Sequence, residues 1–180
     1  CLQALEHPAT AMGNVGAGTG ATVGKLCGME RASKTGIGCY AMALGELQVA
    51  AVVVVNALGD IFDPANGTKI AGLMNEDRTA FGDSCEELWK LGCPQNLFTG
   101  NTTIGAVITN GQFNKAQMNK IASMTRNAYA RCINPVGTMA DGDSIYAASI
   151  GDVKADINVT GTLAAHVMER AIVKAVESAR

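Results

Sequence analysis

The sequence has 180 residues, 48% of them hydrophobic and 17% charged, with a formal net charge of −2. A chain of this length and balance folds as one domain with a sizeable core and is not disordered. Four per cent aromatics and no surplus of Lys and Arg argue against a nucleic-acid surface, which needs clustered positive charge and stacking rings.

Residues 1 to 12 open with a helical pattern, Leu2, Leu5 and Ala9, broken by Pro8, and predict the tail of a helix. Gly13 to Gly24 holds five glycines in twelve residues and reads as a turn-rich loop. Gly36 to Leu44 and Leu47 to Asn56 predict two strands joined at Gly45-Glu46. The second is nearly all Val and Ala and is expected to be buried on both faces. Residues 57 to 100 read as an irregular connection, with turns at Asp63-Pro64, Asn66-Gly67 and Cys93-Pro94 and one short helix from Ser84 to Leu91.

A strand follows at Thr102. Apolar residues at Met118, Ile121, Ala122, Met124, Ala128 and Tyr129 then predict a single long helix over Lys115 to Cys132. Ser144 to Ile150 reads as another strand, and Leu163 to Val176 as a closing helix. Strands followed by helices, twice, indicate a layered α+β fold.

The six cysteines, at 1, 27, 39, 85, 93 and 132, form no C-x-x-C pair, and the two histidines, His7 and His166, lie far apart. We therefore expect reduced thiols and no metal site. The longest apolar run, Val49 to Val55, is seven residues and too short to span a bilayer. No signal peptide opens the sequence, and the expectation is a cytoplasmic protein without a membrane partner.

Gly16-Ala-Gly18-Thr-Gly-Ala21 satisfies a G-x-G-x-x-A pattern and raises a dinucleotide-binding protein as one alternative. Its context argues against that, because Pro8 precedes it where a strand is needed and more glycine follows Lys25. A P-loop also fails, since Thr19 stands where the first glycine belongs and Leu26 where Ser or Thr is required. No cofactor is expected.

Phe98 to Asn110 places Thr102 and Thr103 at the head of a β-branched run, directly after a Gly100-Asn101 turn. Taken alone, the two threonines fit ordinary strand propensity. Read together with Gly13 to Lys25, Val52 to Asp60, Asn101 to Gly105 and Asp141-Gly-Asp143, the sequence resembles the DmpA/BapA-type aminopeptidases of peptidase family S58. These are self-processing N-terminal-nucleophile enzymes that include a nylon-oligomer hydrolase.

The resemblance implies a four-layer αββα sandwich and cleavage between Asn101 and Thr102. Residues 1–101 would be part of the first subunit and 102–180 would form the second, in a homo-oligomer of processed heterodimers. It also implies that this is the later part of a longer protein, lacking an N-terminal portion.

A threonine hydroxyl is a weak nucleophile at neutral pH, and a free α-amino group on the same residue, with a pKa of about 7.7 to 8.0, supplies a base. Only cleavage before Thr102 creates that amine. Asn56, polar at the end of a valine strand, is placed like an oxyanion donor, or else like a strand-end turn cap. Lys25, the one charge in a long uncharged stretch, could tune the Thr102 amine, or be a solvated surface lysine. Asp141 and Asp143 could share one pocket and hold an ammonium if Gly142 turns sharply, or be solvated loop acids.

By the resemblance, Lys25, Asn56, Asp141 and Asp143 stand where the family has its lysine, asparagine and acidic pair. The expected activity is release of α- or β-amino acids from peptides and amides with a free amino terminus. The rival is a non-catalytic binding module of the same fold.

Overall fold

The structure, a computed structural model, describes residues 11–92 and 100–179. The expected helix tail over 1 to 12 therefore lies almost wholly outside the described residues, as do Cys1 and Cys93. Nine strands are described: β1 (Thr22–Val23), β2 (Ser33–Lys34), β3 (Ile37–Leu44), β4 (Leu47–Asn56), β5 (Asp60–Asp63), β6 (Thr68–Ala71), β7 (Thr102–Gly111), β8 (Ile133–Asn134) and β9 (Ser144–Val153). The helices are α1 (Ser84–Leu91), α2 (Lys115–Thr125), α3 (Asn127–Cys132) and α4 (Ile157–Glu177).

The main sheet runs β3-β4-β7-β9, antiparallel except for the parallel β7 and β9. β3 and β4 form the expected hairpin, with Leu44 paired to Leu47 across Gly45-Glu46. Gly45 takes φ +61, which a two-residue hairpin turn requires and a β-branched residue resists. Strand alternation sends Val49, Ala51, Val53 and Val55 of β4 and Thr103 and Val107 of β7 to one face, where all are buried. Against that face lies α4, burying Ala164, Met168, Ala171, Ile172 and Ala175, with Ile121 of α2 and Tyr129 of α3 beside it.

Among the described residues, no element covers the other face. Val52, Ile104 and Tyr146 keep 37%, 49% and 67% of their surface, so β4 is not buried on both faces as its composition predicts. Composition alone hides this, because Val and Ala fill both sides of the strand. Of the four layers expected, the described residues thus supply one helical layer and one main sheet, in a mixed α+β arrangement.

Three further expectations are corrected. The connection after residue 57 contains a hairpin, β5 with β6, which joins β8 in a second sheet of order β6-β5-β8. These strands are short and interrupted by polar residues, so turn-forming residues dominated their reading. Their anchor is Asp60, which is 1% exposed. Its carboxylate accepts Lys69 Nζ at 2.7 Å, Leu73 N at 2.8 Å, Ser84 N at 3.0 Å and Ser84 Oγ at 2.6 Å, tying β6 and the start of α1 to β5.

The predicted long helix is two helices, α2 and α3, parted at Arg126. At the end of α2 the Thr125 hydroxyl donates to Ile121 O, a local bond that competes with the helix ladder. The closing helix starts six residues before the apolar pattern suggests, at Ile157, because Asp156 caps it by accepting Asn158 N and Val159 N. α1 matches its predicted bounds and is capped by Asp83.

Candidate active site

The register of the central sheet places Asn56, the last residue of β4, directly opposite Thr102, the first of β7. Both lie in even-numbered positions and so share the uncovered face with Val52 and Ile104. Asn56 Oδ1 accepts Lys25 Nζ at 2.9 Å and Thr22 N at 3.2 Å. Two donors on the oxygen fix the orientation of the amide, so Nδ2 points the other way and donates to Gly100 O at 2.8 Å.

Lys25 Nζ also donates to Asn56 O at 3.2 Å. Its position follows from Gly24, whose φ of +67 turns the chain against the backbone of Leu73, where a Cβ would lie 1.9 Å from Leu73 N. Burial pushes the Lys25 pKa down to about 8, against a smaller upward pull from Asp141. A lysine in this state is neutral in part at neutral pH and can take up a proton.

The Thr102 hydroxyl donates to Asn101 O at 2.5 Å, so it already touches the carbonyl that precedes it. Asn101 is buried and pairs with Asp141 in a parallel bridge that prolongs the β7–β9 ladder, and Gly142 N donates to the same Asn101 O at 2.9 Å. Gly142 leaves room here, because a Cβ on it would stand 2.8 Å from Thr102 Oγ1 and one of the two would have to shift.

The acidic pair is brought beside the strand start, but its two members bond to different partners. Asp141 Oδ2 accepts Thr138 N at 3.0 Å and Thr138 Oγ1 at 2.8 Å, while Asp143 Oδ1 accepts Thr103 N at 2.8 Å. Burial raises the Asp143 pKa. The Thr103 N–H opposes that rise, and the Asp141 charge adds to it. On the helix side Asp143 borders a 290 Å³ cavity with Ser123, Arg126, Tyr129 and Ser144. Tyr129 donates to Ser144 O at 3.3 Å, and burial raises its phenol pKa.

Sequence reasoning missed Thr22, Thr138 and the Gly142 amide. Thr22 and Gly142 act through backbone N–H groups, which leave no residue-type signal.

Gly16 to Gly18, the core of the dinucleotide-like pattern, forms a single 3₁₀ turn leading to the two-residue β1 rather than opening a helix. Among the described residues no group of His, Cys, Asp and Glu could hold a metal ion, and no helix is long and apolar enough to cross a membrane. Cys27, Cys39, Cys85 and Cys132 are free thiols.

This arrangement of sheet and helices is that of the N-terminal-nucleophile hydrolase fold. The L-aminopeptidase D-Ala-esterase/amidase from Ochrobactrum anthropi, described as a variant of that fold, superposes with a TM-score of 0.64 at 17% identity over 94% of this chain and 46% of its own. A Burkholderia sp. beta-aminopeptidase gives a TM-score of 0.61 at 20% identity, over 93% of this chain and 47% of its own.

The chain belongs to peptidase family S58, whose family model matches residues 1–180. It is 30% identical over 179 aligned residues to a 6-aminohexanoate-oligomer endohydrolase of Agromyces sp. (strain KY5R), covering 91% of this chain and 50% of that one. It is 34% identical over 154 residues to an uncharacterised aminopeptidase of Mycobacterium leprae, covering 83% of this chain and 40% of the relative. The chain thus spans about half the length of the curated relatives it matches.

Proposed function

We propose that this chain carries the catalytic centre of a self-processing amidohydrolase, with Thr102 as the nucleophile of both maturation and turnover. The observation that carries this reading is the contact of Thr102 Oγ1 with Asn101 O at the half-buried head of β7.

In maturation the hydroxyl loses its proton and bonds to the Asn101 carbonyl carbon, and the carbonyl π pair moves onto oxygen. When the carbonyl re-forms, the bond to the Thr102 nitrogen breaks and that nitrogen takes a proton. An ester between Asn101 and Thr102 Oγ1 remains. Water cleaves it to an Asn101 carboxylate and a free Thr102 hydroxyl and amine. The proton acceptor on this side of the strand is Lys25, hydrogen-bonded to Asn56 and neutral above about pH 8.

In turnover the Thr102 amine activates its own hydroxyl against a substrate amide, and Asn56 Nδ2 receives the oxyanion once Gly100 O has moved away. Asp141 and Asp143 hold an ammonium, that of Thr102 or of the substrate. The substrates are peptides, β-amino-acid amides or linear oligoamides, the classes that the names of the relatives print, and a free amino terminus is taken from the aminopeptidases among them. The working unit is a homo-oligomer of heterodimers cut before Thr102, which mass measurement of the native protein would count.

The test is to incubate the complete protein with aminoacyl-p-nitroanilides, β-amino-acid amides and 6-aminohexanoate oligomers. Turnover that disappears in Thr102→Ala supports the reading. Processed wild-type protein that turns over none of the panel favours a binding module of the same fold.

A further inference from the structure

The side-chain donor that stands nearest in the sheet is already engaged. In the uncut chain Asn56 Nδ2 is engaged by Gly100 O, one residue before the scissile carbonyl. The oxygen that becomes negative during cleavage, Asn101 O, instead accepts the backbone N–H of Gly142 at 2.9 Å. We infer that the Gly142 amide is the oxyanion donor of the self-cleavage step, and that Asn56 serves only the later reaction on substrate. This rests on the reading that the chain is cut between Asn101 and Thr102.

Three observations converge on this amide. It is already in contact with the reacting oxygen, so no donor has to move as charge develops. Ladder pairing of Asn101 with Asp141 holds it there, within the prolongation of β9 beside β7. The residue has no side chain to displace the nucleophile, since a Cβ would lie 2.8 Å from Thr102 Oγ1. When Oγ1 bonds to the Asn101 carbon, the N–H···O contact becomes a bond to an anion, roughly twice as strong as a neutral one. After cleavage Asn101 ends in a carboxylate and is free to leave the ladder, which releases Gly100 O from Asn56.

The experiment deletes this one hydrogen. Glycolic acid at position 142 replaces the amide by an ester in the complete protein, and sarcosine at 142 blocks the same hydrogen while keeping the amide. Lactic acid at Ala147 makes the equivalent ester within β9 as a control. Self-cleavage is followed by mass spectrometry. The expected result is cleavage slowed on the order of 10²- to 10³-fold by either change at 142 and near wild-type cleavage in the Ala147 ester.

Wild-type rates in either 142 variant, or equal slowing by the Ala147 ester, overturn the proposal while leaving Thr102 in place as nucleophile. Failure of the wild-type protein to cut at all removes the underlying reading instead.

Discussion

At the scale of single residues, the side chains around Thr102 divide into those that act on charge and those that only hold. Lys25 is competent as a proton acceptor when neutral, and its pKa of about 8 sets the window. The self-cleavage rate should rise about tenfold per pH unit below that value and level off above it. Lys25→Ala should flatten this limb, and an unchanged profile would remove Lys25 from the proton path.

If Asn56 is the proposed oxyanion donor to substrate, Asn56→Ala should lower kcat on the order of 10²- to 10³-fold with KM moving less.

Asp143 carries the opposite sign. Its folded pKa lies above the ordinary 3.8, so between those values the folded state binds more protons than the unfolded chain. Stability therefore falls as pH rises through that window. Burying that carboxyl is a cost to folding that function has to justify. Asp143→Asn keeps an oxygen for Thr103 N–H and drops the charge. We expect its melting temperature at pH 7 to equal or exceed that of the wild type, with kcat/KM down on the order of 10- to 100-fold from the lost charged hydrogen bond. Loss of stability and activity together would make Asp143 a structural residue.

At the scale of elements, Asp60 fastens β5, β6 and α1 through four bonds to one buried carboxylate. Asp60→Ala removes the counter-charge of Lys69, which keeps only its bond to Gly82 O, and strands the Ser84 and Leu73 donors, and should lower stability in urea unfolding by about 3–5 kcal/mol. This hairpin was not legible in the sequence, because Asp63-Pro64 and Asn66-Gly67 read as turns and four-residue strands leave no period to count. The β3–β4 hairpin, β7 and α1 were legible, since each combines a clear pattern with a turn or cap of its own. The break at Arg126 was not, because apolar positions continue in phase from Ile121 to Tyr129 across it. Of the site, the hydroxyl, the lysine and the acids stand out as residue types. The pairing of Asn56 with Thr102 comes from strand register, and the Gly142 N–H is backbone, so neither is written in any one residue.

At the scale of the whole molecule, cleavage before Thr102 would divide the described main sheet, and the core packed on it, between the two pieces. Residues 1–101 hold β3 and β4, whereas 102–180 hold β7, β9 and the helix α4 that packs on β3 and β4. The pieces should therefore elute together in native buffer and separate only in denaturant. Separation under native conditions would show that the sheet does not survive the cut.

The central claim is that Thr102 becomes an amino terminus. N-terminal sequencing and intact mass of the smaller chain from active wild-type protein test it most directly. The account predicts a chain beginning Thr102-Thr103-Ile104, and none in Thr102→Ala. A chain beginning at Thr103, or active protein in which the bond before Thr102 is intact, would contradict it.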